Sequence, residues 1–591
     1  MQQNNPSIKL LFMTSGAIVN KIPTLAILLL MVLCCPVKAF SQTVIYVDQR
    51  ATGSKDGTSW ESAFINLHEA LALAKSADEI WVAAGVYKPD QGPGMTLGDR
   101  TARFELAGGA KLYGGFRGDE SNLESRQLGF DTVLSGDLEE NDPEGMIPSP
   151  LSDVYSDNSQ VILRLNSGTQ MMKTIADGVI VKGGAVLALS ASGPCSLNNI
   201  SVLESVGPNA ASVLHCIVDG LVLRNNNVTG RGALQTRSTS YVNSIFEGNV
   251  AKQGGAIQAL GEDSLFVSKS VFSYNLSNDG GAIIGSGPPL VVVSSIFLNN
   301  VAECAGGAVF IDRGSLTSVN NVFASNRSNN RSSACGPIAE GGAIMIYKGR
   351  YEDYNSTFLN NNAVGMGDVV ALLDSQGTMS NSIWHQNTSG NEDINLDLSS
   401  LTVNHIQIDE PLNFSVQIEG PVVYSSTIFS DLPGEDGIEG TGDDNYQLSP
   451  ASKGIDTGSK DLVPRDFADL DGDNNRSEPT PVDGLGEPRV IGTDVDLGAF
   501  EFPIPTGIEV PVKHNSCFEA FPNPFGESLN ISVQQSGVKL IQVFDATGRK
   551  VTDVEVGPKF RASLVSKAWP AGVYLLRSPQ LPKCSEVLIH F

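Results

Sequence analysis

Basic residues are scarce in this chain. Lys and Arg number 39 against 65 Asp and Glu, giving a net charge of −26, and nowhere do they gather into a patch. That argues against nucleic acid as a partner, because phosphate contact needs cationic side chains collected on one face. An acidic chain instead stays soluble and suits divalent cations or basic partners. Aromatics are also few, at 7% of residues against 61 Gly, which fits a turn-rich repeat better than a close-packed enzyme core. No CxxC occurs, so neither a zinc nor a redox site is indicated. The N-terminal apolar run Leu25 to Cys35 has 11 residues, too short for a bilayer that takes about 20. With Lys9 and Lys21 before it and Ala39-Phe40-Ser41 after it, the run reads as a secretory signal cleaved before Gln42. Cleavage leaves 36 basic against 65 acidic residues, a charge of −29, and no transmembrane segment in the mature chain.

What the chain does have is a repeat. An apolar residue followed three places later by Asn recurs at Leu223, Phe246, Phe272, Phe297, Phe323, Phe358 and Trp384, in steps of 23, 26, 25, 26, 35 and 26 residues. The partners are Asn226, Asn249, Asn275, Asn300, Asn326, Asn361 and Asn387. A second landmark keeps the same phase: Arg231-Gly232-Ala233, Gly254-Gly255-Ala256, Gly280-Gly281-Ala282, Gly306-Gly307-Ala308, Gly341-Gly342-Ala343 and a degenerate Met366-Gly367-Asp368. A period near 25 fits either a leucine-rich repeat or one coil of a parallel β-helix. Each repeat consists of short β-rich runs, such as Leu290 to Val293 and Ser295 to Phe297, separated by Gly, Asn and Ser, and none reads as a helix. The β-helix is therefore expected, with an Asn column stacked at roughly 4.8 Å and bonded amide to amide. Gly-Gly suits a corner that needs positive φ or close approach, and the Ala after it a narrow inward position.

These FxxN and GGAI motifs resemble the repeats of polymorphic outer-membrane proteins and related right-handed parallel β-helix proteins. Upstream, Thr58-Ser59-Trp60-Glu61 forms a capping box, with Phe64, Leu67, Leu71 and Ala74 following at helical spacing. A helix there would cover the open edge of the first coil. With Tyr113-Gly114-Gly115-Phe116 and Leu134-Ser135-Gly136-Asp137, the segment is similar to the N-terminal cap of secreted β-helix proteins. Leu448-Ser449-Pro450-Ala451 and Asp496-Leu497-Gly498-Ala499-Phe500-Glu501 resemble the end of the choice-of-anchor type. The C-terminal run of Phe521-Pro522-Asn523-Pro524-Phe525, Leu540 to Asp545, Thr547-Gly548-Arg549 and Ala571 to Leu576 reads as a small antiparallel sandwich. It closely resembles the sorting domain of type IX secretion substrates, which implies the type IX machinery as a partner through residues 517–591. The family usually ends in a basic stretch, whereas only Lys583 and His590 lie near this terminus.

The expected organisation is a signal at 1–41, cap and first coils at 42–137, repeats at 138–430, an Asp- and Gly-rich closing region at 431–502, a linker at 503–516 and the sorting domain at 517–591. Six Cys remain after the signal: Cys195 and Cys216 about one coil apart, Cys304 and Cys335 across the long step, and Cys517 and Cys584 bracketing the last domain. Their even number permits three disulfides in an exported chain.

Two sites come from the residues. Asp469, Asp471, Asp473 and Asn475 alternate as oxygen ligands do around Ca²⁺, making calcium the candidate cofactor, although an EF-hand would need Glu where Thr480 stands. Asp436, Asp443 and Asp444 form a weaker second loop. Related β-helix lyases hold Ca²⁺ with several Asp beside a basic residue, and hydrolases use Asp pairs. Here only Asp279 and Glu340, just before their Gly-Gly corners, would stack two coils apart, roughly 9.6 Å, near the upper end for an inverting pair. The intervening Ala305 argues against that use. His68, His215, His385 and His405 lack partners at a recognisable motif spacing. The reading is a secreted surface protein with an adhesin-like or structural role, binding a glycan or surface protein; the alternative is a lyase or hydrolase of acidic glycans.

Overall fold

The structure is a computed structural model that describes residues 42–503 apart from 127–129, 144, 146, 151, 330–334, 336–339, 388–392, 410–415, 428, 433 and 435–443, together with 518–521, 528–533, 539–545, 550–557, 561–565, 572–578 and 581–590. The expected signal, the linker residues 504–517, Cys517, Asp436 and Asp443 lie outside these.

Successive coils stack in register. Ile283, Val309, Ile344 and Val370 pair in one column, Leu290, Leu316 and Tyr351 in a second, and Phe297, Phe323 and Phe358 in a third. Val301, Arg327 and Asn362 make a fourth, shorter column. All of these pairings are parallel, so the body is a parallel β-helix. Crossovers between parallel strands are right-handed in nearly all proteins, the hand that the repeat motifs imply. Within the stack, Phe246, Phe272, Phe297, Phe323 and Phe358 are fully buried and lie face to face at centroid spacings of 4.5, 4.7, 4.8 and 5.0 Å.

The corners explain the motifs. The residue before each ladder Asn, namely Asn225, Gly248, Tyr274, Asn299, Ser325, Asn360 and Gln386, has φ between 50° and 63°, so one left-handed residue turns the chain. Asn tolerates that region better than most residues. At the Gly-Gly corner the two glycines do different work. Gly280 has φ 62°, whereas a Cβ on Gly281 would meet the carbonyl oxygen of Gly307 in the next coil at 2.0 Å. Ala233, Ala256, Ala282, Ala308 and Ala343 are all fully buried, as a narrow inward position requires.

The N-terminal cap corrects the expected helix start. The helix is Leu67–Leu73, with Asn66 at its N-cap and Leu67, Ala70 and Leu71 buried. The quartet Thr58 to Glu61 is a turn. Tyr46 N–H donates to Gly57 O, and Phe64 exchanges backbone hydrogen bonds with Tyr46 and Asp48, so the residues on either side of the quartet are pinned beside strand Val44–Val47 and the stretch between them cannot coil. The Thr58 hydroxyl serves Asp56 instead. The helix still joins the apolar core that runs through the stack.

Residues 429–502 fold back along one side of the solenoid. Phe429, Tyr446, Leu448, Leu497, Ala499 and Phe500 cover Ile296, Leu298, Val322, Ala324, Leu359 and Ile383, the residues flanking the ladder aromatics. Hydrogen bonds tie this strap to the coils: Asn320 Nδ2 to Val482 O at 2.9 Å, Asn381 Nδ2 to Ser459 O at 2.9 Å, and Ala499 N to Thr357 Oγ1 at 3.0 Å. Strands between Phe518–Phe521 and Leu581–His590 pair antiparallel in two small sheets around Leu529, Ile531, Ile541, Val543 and Leu576, the expected sandwich. Among the described residues no helix is long and apolar enough to cross a membrane.

Candidate functional site

The Asn column is a continuous hydrogen-bonded rail. Nδ2 of Asn226, Asn249, Asn275, Asn300, Asn326 and Asn361 each donates to Oδ1 of the next Asn at 2.9–3.0 Å. A second rail, not singled out from the sequence, runs two residues before each aromatic. Backbone N–H groups of Ser244, Ser270 and Ser295 donate to Ser270 Oγ, Ser295 Oγ and Asn321 Oδ1. The motif is therefore S-x-F-x-x-N, and its Ser could have been read from the same alignment of repeats. These polar columns are buried and spent on the stack.

Asp353 is the exception inside it. Its column holds Tyr241, Val267, Val292, Ser318 and Met379. The carboxylate is fully buried, accepts from Ser382 Oγ at 2.7 Å, and is pushed by burial up to about 6 against the hydroxyls of Ser356, Ser382, Ser318 and Tyr351.

The predicted carboxylate pair sits where the coil count places it. Gln253 bridges to Asp279, Asp279 pairs with Ala305, and Gly306 N donates to Glu340 O. Each acid has its own amide: Gln253 Nε2 donates to Asp279 Oδ2 at 3.1 Å, and Asn395 Nδ2 donates to Glu340 Oε2. Burial raises both above the ordinary carboxylate range. No ion pair joins either one to a Lys or Arg among the described residues. His385 does acquire an acid that the sequence did not reveal, with Nδ1 3.0 Å from Asp409 Oδ1 and its ring edge-on to Phe429. It is buried and its other ring nitrogen meets no hydroxyl among the described residues.

The acidic loop lies on the strap, anchored where Leu470 and Val482 pack on Val293 and Val319. Carboxylate oxygens of Asp466, Asp469 and Asp471 lie within 4.8 Å of one another, as do those of Asp471, Asp473 and Glu478. Oxygens sharing one Ca²⁺ at 2.3–2.6 Å are separated by no more than about 5 Å, so the donor set fits a hard cation. Asp469 Oδ1 accepts from Asn474 N at 2.9 Å and Asp473 Oδ1 from Asn475 N at 2.6 Å. These turns hold the carboxylates of Asp469 and Asp473 in place and leave their second oxygens for a ligand, whereas Asp466 accepts a backbone N–H on each oxygen, from Ala468 at 3.1 Å and from Leu470 at 2.7 Å. Asn475 itself accepts from the Ser477 hydroxyl at 2.7 Å and donates to Glu478 Oε2 at 3.2 Å. Lost solvation and then the charges of Asp473, Asp471 and Asp466 raise the Glu478 carboxyl. Sequence reading missed Asp466 and Glu478, though Asp466 stands only three residues before Asp469. Thr480 donates to Pro464 O at 3.0 Å, consistent with the failed EF-hand pattern.

Two of the three inferred disulfides are formed, Cys195 to Cys216 and Cys304 to Cys335, each joining neighbouring coils. The third pair falls outside the residues whose side chains are described.

Comparison with known proteins gives two family matches. Residues 519–580 match the secretion system C-terminal sorting domain, and residues 243–260 match the Chlamydia polymorphic membrane protein repeat. No curated protein matches the chain. Among solved structures it is similar to a pectate lyase at 13% identity and TM-score 0.29, covering 78% of this chain and 96% of that one. A rhamnogalacturonan lyase gives 12% and 0.28, covering 69% and 95%. A PL6 family alginate lyase gives 12% and 0.27, covering 67% of this chain and 56% of that one. The chain is thus a secreted protein with a parallel β-helix body, and its type IX sorting domain assigns it to the extracellular space or the outer-membrane surface.

Proposed function

We propose that the solenoid acts as an adhesin-like binding surface on the cell exterior, engaging a glycan or a surface protein rather than transforming it. The observation that carries this reading is how the polar groups of the repeats are used. The Asn and Ser rails are consumed within the stack, and Asp279 and Glu340 each answer to a separate amide, with no basic residue paired to either among the described residues. Uronate chemistry needs acid, base and metal ligands converging on one place, and that convergence is not built into these corners. A lyase or hydrolase remains the competing reading, supported by the raised carboxyls of Asp279 and Glu340. We further propose that Asp466, Asp469, Asp471, Asp473 and Glu478 hold Ca²⁺ and so secure the strap, a structural use of the ion.

A panel of immobilised glycans and bacterial surface proteins, probed with the mature protein while released reducing and unsaturated ends are measured, separates the two. Retention without release supports the binding surface. Release that disappears in Asp279→Asn or Glu340→Gln establishes the enzyme.

A further inference from the structure

One face of the stack carries a groove of about 410 Å³ across the first regular coils. Ile217, Ser240 and Phe266 line it in register, one from each of three successive coils. Rungs repeat at roughly 4.8 Å, so the trough runs along the stack at about the length of one sugar ring per coil. Its rim is made by Gln170 and Lys173 from the preceding coil and by His215, whose φ of 58° places it at a left-handed corner. Farther along the same sheet the outer face is covered, because Val293 and Val319 lie under Leu470 and Val482 of the strap, with Phe266 packed at the margin. The groove lies on a part of this face that the strap leaves open.

Its chemistry runs against the rest of the molecule. In a chain of net charge −26, no carboxylate lines this trough; the ionisable lining groups are Lys173 and His215. Neither side chain has a partner among the described residues. Beside them stand the hydroxyls of Ser238, Ser240 and Ser264 and the apolar surface of Ile217, 48% exposed, and Phe266. A lysine cation and an imidazole at the rim, hydroxyls along the floor and an aliphatic and aromatic strip suit a ligand with anionic groups, many hydroxyls and flat apolar ring faces. We propose that this groove binds an acidic oligosaccharide laid along the solenoid, with an anionic group on Lys173 and a ring face against Ile217 and Phe266. This rests on the reading of the solenoid as a binding surface and names the ligand class and the place.

Calorimetric titration of the full mature chain tests it with three probes of equal length: an oligogalacturonate, a sulfated oligosaccharide and a neutral cello-oligosaccharide. The expected result is that one or both acidic probes bind, the neutral one binds at least tenfold more weakly, and affinity falls with added salt. Lys173→Glu and Ile217→Asp should each weaken the acidic probe tenfold or more with an unchanged melting curve, while Lys252→Glu, an exposed cation outside the groove lining, should leave it untouched. Equal binding of acidic and neutral probes, no binding of any, or binding indifferent to both groove variants overturns the proposal. Glycans retained in the panel assay by Lys173→Glu as by wild type would overturn the groove alone and leave the broader surface reading standing; a protein ligand insensitive to acidic probes would do the same.

Discussion

Asn300 shows how much one side chain is asked to do. Its Nδ2 donates to Phe272 O at 2.8 Å and to Asn326 Oδ1 at 3.0 Å, and its Oδ1 accepts from Asn275 N at 3.2 Å and Asn275 Nδ2 at 2.9 Å. Removing it orphans buried groups in the coils on both sides, at about 1–3 kcal/mol each before any relaxation. Asn300→Ala should therefore lower the thermal midpoint by several degrees, while Glu262→Ala on an exposed turn should shift it little; equal effects contradict the rail. Gly281→Ala is a second test, because its Cβ has nowhere to go but into the Gly307 carbonyl. An overpacking cost of about 1–3 kcal/mol is expected, and an unchanged melting curve would contradict the close approach. Asp353 brings in pH. Its folded value of about 6 lies above the ordinary 3.8, so the folded state holds a proton that the unfolded chain gives up. Its contribution is fullest below pH 4 and declines as pH rises towards 6 and beyond. Melting midpoints from pH 4 to pH 8 should fall less steeply in Asp353→Asn than in wild type, and parallel slopes would refute the assignment. Much of this scale was legible, since the Asn column and the Gly-Gly-Ala corner repeat in fixed phase. The Ser rail escaped because Ser is common between strands, and Asp353 because one acid in one coil leaves no periodic trace.

At the scale of elements, the strap is what the sequence concealed. The residue after the apolar ladder position is charged in early coils, where Arg224 and Glu247 pair at 2.6 Å, and apolar in later ones, as in Leu298, Ala324 and Leu359. A strand apolar on both faces needs a second layer, so the switch was visible, but the segment that supplies the layer is 429–502, whose composition reads as loop. It holds its shape through a buried knot: Arg489 lies 3.1 Å from Glu501 Oε1 and donates to the carbonyls of Asp496 and Gly498 at 2.8 and 3.0 Å. The cap helix was misplaced for a related reason, because Thr58 to Glu61 satisfies a capping pattern that backbone pairing with Val44–Val47 overrides. The acidic loop belongs to the strap, so a bound ion should stabilise it. Millimolar Ca²⁺ should raise the unfolding midpoint of the strap by the linkage RT ln(1 + [L]/Kd), and Asp471→Ala should remove that gain. Identical melting curves in calcium and in chelator would refute the site. Asp466 and Glu478 were not read from the sequence because they lie outside the alternating run and join it only when the loop closes.

At the scale of the whole molecule, the parallel stack with its lateral strap and the terminal sandwich are distinct parts, the body and the sorting domain of a secreted protein. The repeat period made the first legible, and the match of 519–580 to a sorting domain carries the last. If the solenoid works as an extracellular surface, the sandwich must be what takes it there, and location rather than stability should change when it is lost. The direct measurement is protease accessibility on intact cells of a host with type IX machinery, comparing full-length protein, a chain lacking residues 517–591, and a reporter carrying an N-terminal export signal and ending in residues 517–591. The full-length protein and the reporter should be cleaved from outside, and the truncated chain should be protected and folded in the periplasm. A truncated chain exposed at the surface, or a protected reporter beside exposed full-length protein, would contradict this.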